Sequence, residues 1–216
     1  MKKLKFYPNH PDGMHCGQAV FRSLFHYFFD QDLSWEEIDT IAKTIPNKGS
    51  WTLSAEIELA KRGVEVVNIE PFDYALFQRD GVKYLENSFD EKTTQWYLKK
   101  SNLLSVRDNI SEFLKLIKHE TRRATIQDID AMLAKGYLIG AEINSRVLNS
   151  QPGFSLHYVL IRAGDQRSYI INDPGGGSAP PTENRKVSKK ELINALGSEG
   201  ANGEVTGFRK LYDVSN

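Results

Sequence analysis

Cysteine is nearly missing from this 216-residue chain. A single one, Cys16, excludes an intramolecular disulfide framework and zinc sites of the paired Cys-x-x-Cys type. Net charge is missing as well, because 28 Lys and Arg balance 28 Asp and Glu. That balance excludes the strongly basic footprint of a nucleic-acid binder and the acidic composition of a disordered tail. No apolar run approaches the ~18 residues of a membrane span, and the start Met1-Lys2-Lys3 lacks the apolar stretch of a signal peptide. Internal repeats, Gly-x-Ser-x-Gly and Gly-x-Gly-x-x-Gly are likewise absent. What is present is 40% hydrophobic, 11% aromatic and 26% charged residues, an ordinary folded composition. It predicts one domain over residues 1–216, cytoplasmic, with no cofactor and no metal.

Along the chain the hydrophobic period changes once. After Cys16, the polar residues Gln18, Arg22, His26 and Asp30 form one narrow stripe, and almost everything between them is apolar. Such a helix belongs in the middle of a core. Ser34 with Glu37, Thr125 with Asp128, and Ser188 with Glu191 read as helix-opening capping boxes. A helix is expected over about Leu53 to Arg62, a strand over Val64 to Ile69, and mixed short helices over Phe72 to Lys100. The face Ile110, Phe113, Leu114, Ile117 continues as a helix that carries His119 late, in solvent. From Tyr137 the period is that of strands: Tyr137 to Ile143, Leu156 to Arg162 and Ser168 to Asn172. Gly175 to Pro181 reads as a flexible surface loop. The plan is α+β, with a mainly helical half over about 1–135 and a mainly β half over about 136–216.

Cys16 follows the turn-like Pro11-Asp12-Gly13 and opens the most apolar helix. A lone cysteine is usually a small buried hydrophobe. At a helix N-terminus, however, the macrodipole and free amides favour a thiolate and can hold an oxyanion. Among the five histidines, His157 opens an apolar strand. If Arg162 and Ser168 close the following hairpin, Asp173 falls directly opposite His157, where a carboxylate can take the imidazole N–H.

Cys16-Gly17-Gln18-Ala19 at a helix start, His157-Tyr158-Val159-Leu160-Ile161, and Ile170-Ile171-Asn172-Asp173-Pro174 together resemble papain-like cysteine peptidases. The nearest branch is family 39, which includes the peptidase domains that process bacteriocin leaders. Cys16 and His157 lie 141 residues apart, inside the roughly 130–150 of papain-type enzymes. The resemblance covers about Tyr7–Phe29 and Gly153–Gly175. It implies a papain-like fold with a cleft between the halves, a peptide or amide substrate, Cys16 as nucleophile, His157 as general base and Asp173 as its orienter. The family usually has a glutamine six residues before the cysteine, donating to the oxyanion. Here that position is His10, which the resemblance casts as the donor.

Other readings compete. A catalytically weak papain-like module that only holds peptides would fit the loss of that glutamine, and the triad could also serve a small amide. His15-Cys16-x5-Arg22-Ser23 matches the tyrosine-phosphatase signature, but its five inner residues carry a helical period instead of a glycine-rich cradle. His10, Asp12, His15 and Cys16 crowd together as possible zinc ligands, without a second cluster to complete the shell.

Overall fold

The computed structural model describes residues 3–176, 179–198 and 200–210. Gly177 and Ser178, from the expected glycine-rich loop, lie outside them. Seven strands form one sheet: β1 (Val64–Glu70), β2 (Lys118–Thr121), β3 (Leu138–Asn144), β4 (Leu156–Gly164), β5 (Ser168–Asp173), β6 (Thr182–Ser188) and β7 (Val205–Lys210). Their order is β2-β1-β7-β3-β4-β5-β6, antiparallel throughout except for the β1–β2 pair. Among the described residues eight α-helices precede the β-rich half: α1 (Cys16–Phe29), α2 (Trp35–Ala42), α3 (Leu53–Lys61), α4 (Tyr74–Asp80), α5 (Val82–Ser88), α6 (Glu91–Lys100), α7 (Leu103–Val106) and α8 (Ile110–Leu116). Three more follow: α9 (Ile126–Ala134), α10 (Ser145–Leu148) and α11 (Lys189–Leu196). This is the expected α+β plan.

The sheet is covered on both faces. On one side Phe21, Leu24 and Phe25 of α1 and residues of α3 to α8 pack with Tyr158, Leu160 and Phe208. On the other, Ile129, Leu148, Leu192 and Leu196 pack with Val159, Ile161, Tyr169 and Ile171. Successive residues of β4 thus serve opposite cores, as the pleat requires. All three capping boxes form, at Ser34, Thr125 and Ser188.

Four expectations change. Lys118–Thr121 is strand β2, so His119 is not on a helix. It is half-buried, with Nδ1 2.7 Å from Asn68 Oδ1 and Nε2 3.1 Å from the Phe72 carbonyl. Strands β1 and β2, from the mainly helical half, belong to the same sheet as the rest. The C-terminal strand β7 inserts between β1 and β3, which local pattern did not indicate. Finally, the β4–β5 ladder pairs Leu160 with Asn172 and Ile161 with Ile171, then shifts at a bulge before Ala163. Asp173 is therefore not directly opposite His157. That register sets it opposite Val159, two residues along. A slip of two keeps both side chains on one face, whereas a slip of one would have parted them.

Candidate active site

Helix α1 begins at Cys16, and its N-cap His15 makes no side-chain capping bond. The first-turn amides are left open, and the backbone N–H groups of Gly17 and Tyr158 act on the half-buried thiol. Strand β4 brings His157 alongside: burial raises the Cys16 pKa, but the hydrogen bond and charge of His157 outweigh it, so the thiol lies below its ordinary value.

His157 is 6% exposed and Asp173 1%. His157 Nε2 lies 2.7 Å from Asp173 Oδ1, which leaves Nδ1 for Cys16. Burial alone would lower the imidazole pKa; the bond to Asp173 and the bond and charge of Cys16 override it and push His157 up to about 10. Asp173 is held in turn. The Gly175 N–H donates to its Oδ1 at 3.0 Å, and Arg185 Nη1 on β6 donates to Oδ2 at 3.0 Å. Burial raises this carboxyl, and His157, Gly175 and Arg185 together bring it below its ordinary value. The series Cys16–His157–Asp173–Arg185 can store a thiolate–imidazolium pair, the activated form of a cysteine nucleophile.

Asn9 ties the loop before Cys16 to the loop after Asp173. Its N–H donates to the Pro174 carbonyl at 2.8 Å and its side-chain amide to the Gly175 carbonyl at 2.8 Å, while its Oδ1 accepts from the His15 N–H at 2.9 Å. The sequence reading missed Asn9 and Arg185. Nothing local marks Arg185, since Thr182-Glu183-Asn184-Arg185-Lys186 has no alternation.

Beside these residues opens a cleft of about 980 Å³. One wall comes from the Phe72–Lys100 segment, through Phe72, Tyr84, Phe89, Trp96 and Tyr97. Met14 and Phe154, both exposed, also line it. Gln18 lines it too, but its Nε2 is committed to Thr44 Oγ1 at 2.8 Å and Ser50 Oγ at 2.9 Å.

His10 is not among the described residues that line the cleft. Its ring packs on His15 and Trp35, at 4.9 and 5.3 Å between centroids, and its Nδ1 lies 3.1 Å from Asp12 Oδ2. To donate into the cleft it would have to leave that cluster. The ligand atoms of His10, Asp12 and His15 lie within 4.8 Å of one another and could hold a metal ion; Cys16, grouped with them by sequence, faces His157 instead. The phosphatase reading fails on geometry. Residues 17–21 are helical, not a cradle, and the Arg22 guanidinium stacks over Tyr7 and Trp35 at 4.3 and 4.6 Å.

A cysteine at a helix start, an imidazole on a strand and a carboxylate behind it are thus brought into one contiguous series. No family model and no curated protein matches the chain. Among solved structures, it is similar to the peptidase domain of Streptococcus ComA, a bi-functional ABC transporter involved in a quorum-sensing pathway, at 15% identity and a TM-score of 0.49, over 97% of this chain and 100% of that one. Among the described residues no helix is long and apolar enough to cross a membrane.

Proposed function

We propose that the chain is a cysteine-type hydrolase of peptide or amide bonds. The observation that carries this reading is the buried 2.7 Å His157–Asp173 contact behind a Cys16 thiol of lowered pKa, at the edge of a cleft large enough for a peptide. Cys16 attacks the carbonyl carbon, and the oxyanion faces the N-terminal amides of α1, with the Cys16 N–H the first of them. As the C–N bond breaks, His157 gives its proton to the leaving amine. It then takes a proton from the water that hydrolyses the thioester, and Cys16 is released. Asp173, fixed by Arg185, holds the ring throughout and stabilises the imidazolium. The single unpaired cysteine suits a reducing, cytoplasmic setting. Peptides or amides, and neither nucleic acid nor membrane, are the partners this reading calls for.

The test is turnover of a peptide library read by mass spectrometry. Wild type should cleave a subset of sequences, and Cys16→Ala none. The position of the His10 ring favours a second reading, a module that holds peptides and hydrolyses them weakly, because it leaves the cleft without an assigned second oxyanion donor. Rapid alkylation of Cys16 with no turnover of any peptide would establish that reading over the first.

A further inference from the structure

Four glutamates from four places in the chain meet beneath this cleft. Glu56 lies in α3, Glu70 ends β1, Glu142 lies in β3 and Glu204 immediately precedes β7. Glu142 and Glu204 line the cleft together with Cys16 and His157. Glu56, Glu70 and Glu204 are 0%, 1% and 5% exposed, and Glu142 is half-buried. Carboxylates are almost never buried unless paired, yet no cation figures among the main influences on any of the four.

Their partners are neutral groups or one another. Glu204 Oε1 accepts from Thr206 Oγ1 at 3.1 Å, Thr52 Oγ1 at 3.3 Å and the Tyr158 hydroxyl at 3.4 Å. Glu142 Oε1 accepts from the Asn202 N–H at 3.0 Å. Both oxygens of Glu56 and Oε1 of Glu70 lack a hydrogen-bond partner in good geometry. Burial and then the charge of Glu204 push Glu56 and Glu142 up to about 8, against weaker pulls from Thr52 and Thr206 on the first and from the Asn202 N–H on the second. Burial without a facing cation favours the protonated carboxyls, and the desolvation cost of their charged forms is one that a matched cation would offset.

The surroundings suit an organic cation. Trp51, Phe72, Tyr84, Phe89, Trp96 and Tyr97 line the same cleft, and aromatic faces attract ammonium and guanidinium groups. Arg123, one of the lining cations, is directed to the Gly197 carbonyl at 3.4 Å. Among the described residues, ligand atoms gathered tightly enough for a metal ion occur at His10, Asp12 and His15, not among these glutamates.

We propose that this acidic, aromatic-walled floor is a specificity subsite for a lysine or arginine side chain of the substrate, with Glu142 and Glu204 as its direct partners. It rests on the cleft being a substrate site but not on cleavage. Docking the cation displaces protons shared among Glu142, Glu204, Glu70 and Glu56. Cys16, His157, Tyr74, Tyr84, Tyr97 and Tyr158 are the other titratable groups around them, and Lys100 and Arg123 are cations of the cleft lining.

The experiment uses the full chain carrying Cys16→Ala, so that binding is read without turnover. Calorimetry and Trp51 and Trp96 fluorescence would compare Nα-acetyl-arginine amide and Nα-acetyl-lysine amide with the uncharged citrulline and norleucine amides. The basic ligands should bind at least about tenfold tighter, the scale of one charge-assisted contact. Proton release at pH 7 should show as a buffer-dependent enthalpy. Adding Glu142→Gln should remove most of the preference. That side chain is half-buried, and glutamine keeps an acceptor for the Asn202 N–H, so the fold should survive, with the melting temperature as check. Equal binding of arginine and citrulline amides, a preference unchanged in both Glu142→Gln and Glu204→Gln, or no saturable binding up to roughly 10 mM would overturn the proposal. Selective binding of the basic amides alongside a wild type that cleaves no peptide would keep the subsite and remove the hydrolase. Cleavage without any charge preference would do the opposite.

Discussion

Cys16 and His157 hold each other charged: the thiol sits below its ordinary pKa and the imidazole near 10. Below about 10 the imidazole favours its protonated form, and its charge favours the thiolate over the thiol. Iodoacetamide should therefore alkylate Cys16 at pH 6 roughly tenfold faster than a free thiol, and His157→Ala should abolish the advantage. A model-thiol rate in the wild type would return Cys16 to the role of a core residue. Asp173 sets that upper limit. Asp173→Asn keeps an acceptor for the Nε2 proton but loses the charge that Arg185 and His157 share. Its turnover should fall less than in Asp173→Ala, and its alkaline limit should move to lower pH. Identical pH profiles for wild type and Asp173→Asn would show that this charge does not support the imidazolium.

At the scale of elements, the site is a junction of three pieces: the start of α1, the start of β4 and the end of β5. Asn9 is the stitch between the first and the third. Asn9→Ala removes three side-chain hydrogen bonds, to Gly13, His15 and Gly175. Each typically contributes about 1 kcal/mol, so the melting temperature should fall by several degrees. If Asn9 positions the cysteine, alkylation at pH 6 should also slow by roughly tenfold, with Asn9→Asp restoring part of the rate through the bond from His15. A loss of stability with unchanged alkylation would make Asn9 only a loop tie.

For the molecule as a whole, the buried glutamates determine how stability depends on pH. Glu56 and Glu142 titrate at about 8 when folded, against 4.5 for the ordinary side chain. Between those values the folded state binds more protons than the unfolded chain, so stability falls as pH rises through the window. His157 acts in the same direction: its contribution is complete below 6.5 and is lost as pH rises toward about 10. Cys16, with a lowered pKa, acts the other way across the interval from that lowered value up to 9, one group against the several that are raised. The melting temperature should therefore decline from pH 5 to pH 8.5. Glu56→Gln, which has no proton to lose, should match the wild type at pH 5 and exceed it at pH 8.5. Parallel curves would mean that Glu56 stays neutral throughout or is neutralised by a group elsewhere.

The sequence alone determined what depends on neighbours close along the chain. The three capping boxes, the apolar circumference of α1 and the position of Cys16 at its first residue follow from spacings of three and four, because helices bond locally. The strands β1, β3, β4 and β5 follow from dense β-branched and aromatic runs. Even the His157–Asp173 contact was within reach, because a register error of two residues preserves the face. Tertiary structure decided what needs distant segments. The insertion of β7 between β1 and β3 pairs residues far apart in the chain, which no local period encodes. The turn of His10 toward Trp35 depends on how α2 packs beside the loop. Arg185 reaches Asp173 only because β6 pairs with β5. Glu142 did leave a trace, as one charge inside the apolar run Leu138-Ile139-Gly140-Ala141-Glu142-Ile143. That three more carboxyls gather around it was fixed only when α3, β1, β3 and the approach to β7 closed on a common interior, where burial gives a charge consequences that it does not have in the open chain.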